Sequence, residues 1–234
     1  MKKPAHPTRN IAPAMRHLIL LPILAGGLAL TLVTAAPVRT LAFDLPATTV
    51  TLELVAAENK TDSNTKAKDP LRIEARMNQF SLPVSLPPGR YLVSSTAFKS
   101  TDSFTLPDTA GGRFLLLILP KNDGGCAIFP IPDDITKIGP GDRFLLNATK
   151  EQIAVRFGTQ RSIIKPGYSE YLRAPRPAPA DQRIEVEMAR RNGSEWIPFN
   201  STYWPLDPRA RSFVLVHPDP VTDAPRVRNL SEVP

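Results

Sequence analysis

Cysteine and histidine are scarce in this sequence, and their scarcity limits the chemistry that it can support. Among 234 residues there is one cysteine, Cys126, and only one of the three histidines, His217, lies beyond residue 35. A single thiol cannot form an internal disulfide, and one cysteine with one histidine falls short of the ligand sets of blue-copper and zinc sites. We therefore expect no metal and no cofactor, and we interpret Cys126 as a small buried apolar residue.

Motifs for nucleophilic catalysis are also absent from the sequence. No Gly-x-Ser-x-Gly elbow occurs, and beyond residue 35 only His217 or a carboxylate could act as the base of a triad. Glu185 and Glu187 share a strand face and could form the carboxylate pair of a glycosidase, which needs a separation of about 5 to 9.5 Å. The neighbouring Arg183 and Arg190 favour a charged solvent face instead. The sequence therefore predicts a non-enzymatic protein without catalytic residues, and a hydrolase is the alternative.

Four aspartates near proline or glycine are a further possible cation site. Carboxylate oxygens can bind calcium, but aspartate is also common in solvated turns. We interpret all four as turn residues and keep weak calcium binding as the alternative. They are Asp133, Asp134, Asp219 and Asp223.

A concentrated excess of basic residues is missing beyond the amino-terminal segment. The formal net charge is +7, but four of the 29 lysines and arginines and none of the 22 acids precede residue 36, which leaves 25 basic against 22 acidic groups. Nucleic-acid-binding domains usually carry a clustered excess of positive charge. We expect no nucleic-acid partner.

An export segment occupies the amino terminus. Basic residues precede an uncharged apolar stretch, residues 18–36, that ends in small side chains, which is the pattern of a secretory signal. We expect cleavage after Val33-Thr34-Ala35, with Thr40-Leu41-Ala42 as the second candidate. Because the stretch approaches the roughly 20 residues of a membrane span, the alternative for residues 1–35 is an uncleaved anchor. In both cases we expect an exported periplasmic or cell-envelope protein, which contacts the membrane only through residues 18–36 if uncleaved.

Proline is abundant, at 26 of 234 residues, and many short runs alternate between apolar and polar side chains. Proline disfavours helix interiors, and strict alternation is the period of a half-buried strand. The clearest runs lie within residues 140–149, 151–158 and 161–167, are separated by turn signals such as Gly158-Thr159, and predict an antiparallel meander. Residues 113–120 are apolar without alternation, which predicts a strand buried on both faces.

A stretch rich in proline, glycine and aspartate, residues 132–141, is predicted to be a domain boundary or a crossing between sheets. The predicted fold is all-β, with two small antiparallel immunoglobulin-like sandwich domains, residues 44–135 and 140–230, after the N-terminal signal or anchor helix. One larger sandwich is the alternative. Three Pro-Gly turns that each precede an aromatic residue suggest a duplicated β unit, although hairpins recruit Pro-Gly in general.

Five aromatic residues in the carboxyl-terminal half are the candidate binding residues. Exposed rings on a sheet could stack on sugars or hold a partner, whereas small sandwiches usually bury their tryptophans. Trp196 and Trp204 are eight residues apart, and they would share one face of a regular strand that follows the predicted Asn192-Gly193 turn. The sequence therefore leaves two locations open for these five aromatic residues, the core and a binding surface. The five residues are Tyr168, Tyr171, Trp196, Tyr203 and Trp204.

Part of the chain resembles a group of known sequences. The runs Arg143-Phe-Leu-Leu-Asn-Ala-Thr149, Ile153-Ala-Val-Arg-Phe-Gly158 and Ile164-Lys-Pro-Gly167, followed by Trp196 and the Tyr203-Trp204 pair, are similar to uncharacterised exported β-sandwich proteins of Gram-negative bacteria. The resemblance covers residues 140 to 217. It implies the fold and the compartment, and it carries no catalytic or binding residue.

These observations together predict a function in binding. We expect a non-enzymatic cell-envelope protein that acts as an interaction or structural module and whose partner is another envelope protein or a glycan. An unpaired sheet edge could capture an extended partner by adding a strand. The alternative is a carbohydrate-binding module with an exposed aromatic platform.

Overall fold

The computed structural model describes residues 35–57, 69–99, 102–109, 111–121, 123–219 and 221–234. The predicted signal peptide or anchor, residues 1–35, lies outside this range except for Ala35. Every helix or strand assigned to the described residues is a β-strand. None of their segments is a helix with the length and apolar content that a membrane span requires. The all-β prediction is confirmed.

The described residues form sixteen strands. The first eight are β1 (Ala36–Ala42), β2 (Thr49–Ala56), β3 (Leu71–Arg76), β4 (Val84–Leu86), β5 (Gly89–Ser94), β6 (Asp102–Leu106), β7 (Phe114–Pro120) and β8 (Cys126–Pro132). The last eight are β9 (Arg143–Asn147), β10 (Ile153–Phe157), β11 (Gln160–Ile164), β12 (Ser169–Leu172), β13 (Arg183–Asn192), β14 (Glu195–Pro205), β15 (Arg211–Pro218) and β16 (Pro225–Glu232). We refer to residues 36–132 as repeat 1 and residues 143–232 as repeat 2.

The two repeats have the same strand order. Repeat 1 contains an inner sheet, β4-β1-β7-β8, and an outer sheet, β3-β2-β5-β6. Repeat 2 contains an inner sheet, β12-β9-β15-β16, and an outer sheet, β11-β10-β13-β14, so that adding eight to each strand number of repeat 1 reproduces it. One strand pair in each repeat is parallel, β1 with β7 and β9 with β15, and each of these ladders contains five residue pairs. The matching topology supports the duplicated β unit.

The parallel ladders define equivalent positions in the two repeats. The first pair is Val38 with Phe114 in repeat 1 and Arg143 with Ser212 in repeat 2. Counting from these pairs, Arg113 is equivalent to Arg211, Leu119 to His217 and Pro120 to Pro218. The strands β7 and β15 therefore follow one pattern, an arginine before a buried run that ends at proline.

Three apolar cores hold the described part of the chain together. One lies between the two sheets of repeat 1 and one between the two sheets of repeat 2, as in a β-sandwich. The third joins the two inner sheets to each other, and it includes Leu115 and Leu117 of β7 with Phe213 and Leu215 of β15. Because the inner sheets have a core on both faces, all residues of β7 from Phe114 to Leu119 are buried. This confirms the prediction for residues 113–120.

The predicted meander is wrong, although its three strands and the Gly158-Thr159 turn are confirmed. β9 pairs with β12 and β15 in the inner sheet, whereas β10 pairs with β11 and β13 in the outer sheet. Phe144, Leu145 and Leu146 are all buried because β9 lies between two cores. The prediction of purely antiparallel sheets is corrected by the two parallel pairs, β1 with β7 and β9 with β15. Parallel neighbours need a long crossover connection, and here the strands of the outer sheet lie within that connection.

Two further predictions differ from the structure at their boundaries. β1 begins at Ala36, before residue 44, where the first domain is predicted to start, and it is an interior strand of its sheet. The turn between β13 and β14 consists of Gly193 and Ser194, because Asn192 pairs with Glu195 and closes the ladder. Gly193 has a φ of 59°, a left-handed conformation that glycine adopts without steric cost.

Candidate functional site

The structure divides the five predicted aromatic residues between core and surface. Trp204 is 8% exposed and packs near Phe157 in the core of repeat 2. Tyr171 is half-buried, with its ring centroid 5.6 Å from that of Phe144. Tyr203 and Tyr168 are 62% and 65% exposed, the first on β14 and the second in the turn before β12.

A β-bulge separates the two tryptophans onto opposite faces of β14. Met188 pairs with Asn200 and Ala189 with Pro198, so Phe199 is an extra residue in β14. An extra residue shifts the alternation of side chains by one position. Trp204 therefore points into the core, whereas Trp196 lies on the outer face, where the Arg191 guanidinium is 5.2 Å from its ring centroid. The expectation that both share a face, which assumed a regular strand, is wrong.

The outer face of the outer sheet of repeat 2 carries a groove of about 730 Å³, which we call the sheet groove. Its floor is a row of apolar side chains that crosses four strands. The pairing register places Ile163, Ala154, Ala189 and Pro198 side by side in that order. The groove forms because two alanines occupy the central strands, where longer side chains would fill the space.

A charged row borders this floor on one side. Arg161, Arg156 and Glu187 are paired in register on β11, β10 and β13. Arg156 donates to Glu185 at 2.9 Å and forms an ion pair of 2.6 Å with Glu187. The hydrogen bonds from Arg156 hold the pKa of both glutamates below the ordinary value. A glycosidase needs one protonated acid, and two carboxylates shared with one arginine do not supply it at neutral pH.

The corresponding face of repeat 1 also has a groove, of about 660 Å³, but its lining is polar. Its side chains come from Thr51 and Glu53 of β2, Arg72 and Glu74 of β3, and Ser94 of β5. Arg72 and Glu53 form an exposed ion pair of 3.1 Å. The two outer sheets therefore share a topology and differ in surface chemistry.

A cluster of four charged residues joins the two inner sheets. Arg211 donates to Asp133 at 2.6 Å and also to Glu232, while Arg39 contacts Asp133 at 2.8 Å and Glu232 at 2.9 Å. Burial acts to raise the pKa of Glu232, but the hydrogen bonds and charges of Arg39 and Arg211 outweigh burial and hold that pKa below its ordinary value. The cluster has equal numbers of positive and negative groups. Because Arg39 and Asp133 contact Glu232 and Arg211, the cluster links repeat 1 to repeat 2.

The aspartates considered for calcium binding are engaged in other contacts. Asp133 belongs to the charged cluster, Asp134 accepts from the backbone and hydroxyl of Thr136, and Asp219 accepts from Val221 and Thr222. Asp223 has a φ of 58° in the turn before β16. Within the described ranges, no group of three or more His, Cys, Asp or Glu side chains comes together.

A third cavity, of about 540 Å³, lies where the turns after β1, β7, β9 and β15 meet, and we call it the inter-repeat cleft. His217, at the end of β15, is buried in its wall, with Nδ1 3.0 Å from the carbonyl of Pro218 and Nε2 3.6 Å from Oδ2 of Asp44. Arg228 donates to Oδ1 of Asp44 at 2.6 Å. Burial lowers the pKa of His217, and the attraction of Asp44 only partly offsets this.

Sequence reasoning missed both the sheet groove and the partners of His217. The groove had a signal, because Ala154, Ile163 and Ala189 are apolar at positions whose alternation places them on the solvent face. The inter-repeat cleft also had a signal, because two segments of the sequence share one pattern, an arginine before an apolar run that ends at proline. They are Arg113-Phe-Leu-Leu-Leu-Ile-Leu-Pro120 and Arg211-Ser-Phe-Val-Leu-Val-His-Pro218, and histidine in the second replaces leucine in the first. Asp44 had no signal, since its closeness to His217 arises from tertiary packing.

Comparison with known proteins adds no assignment to these sites. No protein-family model matches the chain, and no curated protein matches it.

Proposed function

We propose that this protein is an exported, non-enzymatic binding module of the cell envelope that captures a polypeptide partner in the sheet groove. The observation that carries the proposal is the apolar floor on the outer face of repeat 2. The solvent face of an antiparallel sheet is normally polar, and a contiguous apolar patch with a polar border is typical of an interaction site. Ile163, which is 62% exposed, ends this row at the edge strand β11.

The dimensions and the border of the groove favour an extended polypeptide. Four strands spaced about 4.8 Å apart give a floor about 14 Å long, which is the length of roughly four extended residues. Arg161, Asn200 and Ser201 line the groove and offer donors and acceptors to a peptide backbone. A partner with alternating apolar side chains would place them on Ala154 and Ala189.

A photo-crosslinking experiment in cells tests this proposal. A photoreactive phenylalanine analogue is placed at position 163, and at position 74 on the polar groove of repeat 1 as the matched control. We expect a discrete crosslinked protein with position 163 only, and loss of that product when Ala154→Asp is added. Equal crosslinking at both positions, or a product that survives Ala154→Asp, would contradict the proposal.

Export and cleavage belong to the same proposal, and the position of β1 supports cleavage after Ala35. Cleavage there leaves β1 complete, whereas cleavage after Ala42 would remove an interior strand whose Val38, Leu41 and Ala42 are fully buried. We expect Ala36 to be the first residue of the mature protein, as determined by sequencing its amino terminus. Fractionation should recover the protein with the cell envelope, and a mature form in the cytoplasm would contradict export.

We further propose that each repeat is an immunoglobulin-like sandwich domain related to the exported proteins that residues 140–217 resemble. The support is the pair of facing sheets in each repeat and the connecting segment, residues 133–142, between β8 and β9. Limited proteolysis checks the domain boundary. We expect the first stable fragments to end within residues 133–142, and cleavage inside a repeat before that segment would argue for one larger sandwich.

A glycan ligand is the second candidate, and the position of two aromatic rings favours it. Trp196 and Tyr203 lie on the outer face of β14, at opposite ends of the strand. Sugar rings stack on exposed aromatic faces. Affinity electrophoresis in gels that contain polysaccharide should show loss of retardation for Trp196→Ala and Tyr203→Ala, with Tyr168→Ala, in the turn before β12, as the control. Unchanged retardation in both variants would exclude this candidate.

A further inference from the structure

Two arginines lie directly opposite each other at the edge of the sheet groove. Arg161 of β11 pairs in register with Arg156 of β10. The two-residue turn between these strands closes at Phe157 and Gln160, so Arg156 and Arg161 form a non-hydrogen-bonded pair, in which side chains approach most closely. Like charges at directly opposite positions are destabilising. An arginine at position 161 therefore does not serve the stability of the sheet.

Two glutamates on the same sheet face bind Arg156 and not Arg161. Glu187 lies next to Arg156 in the same row, and its carboxylate is 2.6 Å from the Arg156 guanidinium. Glu185 accepts from the same guanidinium at 2.9 Å. Arg161 is exposed, and it forms no ion pair with a carboxylate in the part of the chain that the structure describes. The β11 end of the groove therefore carries a positive charge that these glutamates do not neutralise.

Repeat 1 has a different arrangement at the equivalent edge. β3 and β11 occupy the same place in the strand order of the two outer sheets. Arg72 of β3 pairs in register with Glu53 of β2, and the two side chains form an ion pair of 3.1 Å. Opposite charges at paired positions stabilise a sheet. The shared topology is therefore compatible with a neutralised arginine at this edge, and the like-charged pair is particular to repeat 2.

The position of Arg161 relative to the apolar floor suits a carboxylate on a bound polypeptide. Arg161 and Ile163 are alternate residues of β11, so their side chains leave the same face of the strand about 6.8 Å apart. A segment that lies over Ile163 and Ala154 can therefore direct an aspartate or glutamate side chain toward the Arg161 guanidinium. Glu187 repels a carboxylate placed near β13, which favours the β11 end of the groove for the acidic group.

We propose that the polypeptide captured in the sheet groove carries an aspartate or glutamate side chain beside its apolar residues, and that Arg161 binds this carboxylate. The inference rests on the proposed function of the groove and adds the charge of the partner to it. The carboxylate belongs to a side chain and not to a chain terminus, because β11 is the edge of its sheet and Ile163 is 62% exposed. An extended segment can continue past this open end of the groove.

Selection from a peptide library tests the proposal. Phage that display random decapeptides are selected on the protein as the cell produces it. Phage that bind Ala154→Gln equally well are discarded, because glutamine fills the floor of the groove without adding a charge. We expect the remaining peptides to share an aspartate or glutamate beside apolar residues. Groove-dependent peptides without an acidic residue would overturn this inference and leave the proposed function intact, whereas failure to obtain any groove-dependent peptide would contradict both.

Matched variants connect the acidic residue to Arg161. Glutamine in place of the acidic residue of a selected peptide, or Arg161→Gln in the protein, should each weaken binding about fivefold, the upper range for an exposed ion pair. Both changes together should weaken binding no further than either change alone, and additive losses would overturn the assignment to Arg161. Arg161→Lys keeps the charge and should keep most of the affinity. Arg72→Gln, on the edge strand β3 of repeat 1, is the control and should leave binding unchanged.

Two further peptides distinguish a side-chain carboxylate from a terminal one. The first has an internal glutamate and an amidated carboxyl terminus, and the second has glutamine at that position and a free carboxyl terminus. We expect Arg161→Gln to weaken the binding of the first peptide only. Weaker binding of the second peptide alone would overturn the assignment to a side chain.

Stability measurements separate binding from a structural role of Arg161. Because Arg161→Gln removes a like-charge contact with Arg156, its urea midpoint should equal or exceed that of the natural protein. A lower midpoint would show that Arg161 stabilises the sheet, and it would overturn the inference that this arginine serves a partner.

Discussion

Repeat 1 and repeat 2 have one topology and two different surfaces. Both place four strands in an inner sheet and four in an outer sheet, in the same order and with the same parallel pair. The outer groove of repeat 1 is lined by Thr51, Glu53 and Glu74, whereas that of repeat 2 has the floor Ala154, Ala189 and Ile163. The strand order depends on the buried residues, so the exposed positions are free to differ. Binding is therefore expected where the exposed positions depart from the ordinary polar pattern.

Equivalent positions along β7 and β15 also differ in their side chains and in the contacts that these make. Arg113 is exposed before β7, whereas Arg211 is 2% exposed at the start of β15 and joins the charged cluster. Leu119 packs against apolar neighbours, whereas His217 faces Asp44. Repeat 2 thus carries polar groups at both ends of a strand whose counterpart in repeat 1 has none buried. The following predictions test that difference.

The largest effect is expected from Arg211→Ala compared with Arg113→Ala. Removal of Arg211 leaves Asp133 and Glu232 with one arginine, and an uncompensated buried charge costs about 3 to 5 kcal/mol in the free energy of unfolding. Arg113→Ala removes an exposed side chain and should produce no measurable change. Urea denaturation of both variants provides the measurement. Similar midpoints would show that the charged cluster does not distinguish the repeats.

The two tryptophans of β14 should differ in the same way. Trp204→Ala leaves a cavity in the core of repeat 2 and is expected to cost about 3 kcal/mol. Trp196→Ala should cost about 1 kcal/mol or less, because its half-buried ring lies on the outer face under Arg191. Thermal and urea unfolding of each variant check the prediction. Equal losses would mean that the bulge at Phe199 does not reverse the side-chain alternation.

A pH-dependent effect is expected from His217 and should be absent in His217→Leu. The pKa of His217 is lowered by burial from its ordinary value of 6.5, so the unfolded chain binds a proton more readily than the folded chain. Its contribution to stability is therefore complete above pH 6.5 and is lost as the pH falls through 6.5 toward the folded pKa. Glu232 acts in a lower window, because its pKa is depressed from 4.5. Urea midpoints between pH 7.5 and 5.5 should fall in the natural protein and fall less in His217→Leu.

Cys126 provides the smallest and most local test, because its reactivity reports on repeat 1. Burial raises the pKa of this thiol to about 11. At pH 8 the folded protein should not react with a thiol reagent, whereas the unfolded chain should react rapidly. Since the third core joins the inner sheets, Trp204→Ala in repeat 2 is expected to raise the labelling rate of Cys126 in repeat 1. An unchanged rate would show that the repeats unfold independently.

The fold was predictable wherever the pattern is local. Alternation predicts the strands around Phe144, Val155 and Ile163, and Gly158-Thr159 predicts the turn between the last two, because alternation and turn chemistry act within a few residues. The pairing of β9 with β15 has no local signal in the sequence, since its five residue pairs join positions about 70 residues apart. The shared face expected for Trp196 and Trp204 is wrong for a related reason, because one inserted residue, Phe199, reverses the side-chain alternation of β14.

By itself the sequence determined the strands of the alternating runs, the two-sided burial of Phe114 to Leu119 and the shortage of reactive side chains, because composition and alternation are properties of neighbouring residues. Only the tertiary structure decided which strands share a sheet, which face of β14 holds each tryptophan, and which residues meet His217. Those outcomes depend on contacts between segments far apart in the chain, and the energy of such contacts is realised only when whole sheets pack together.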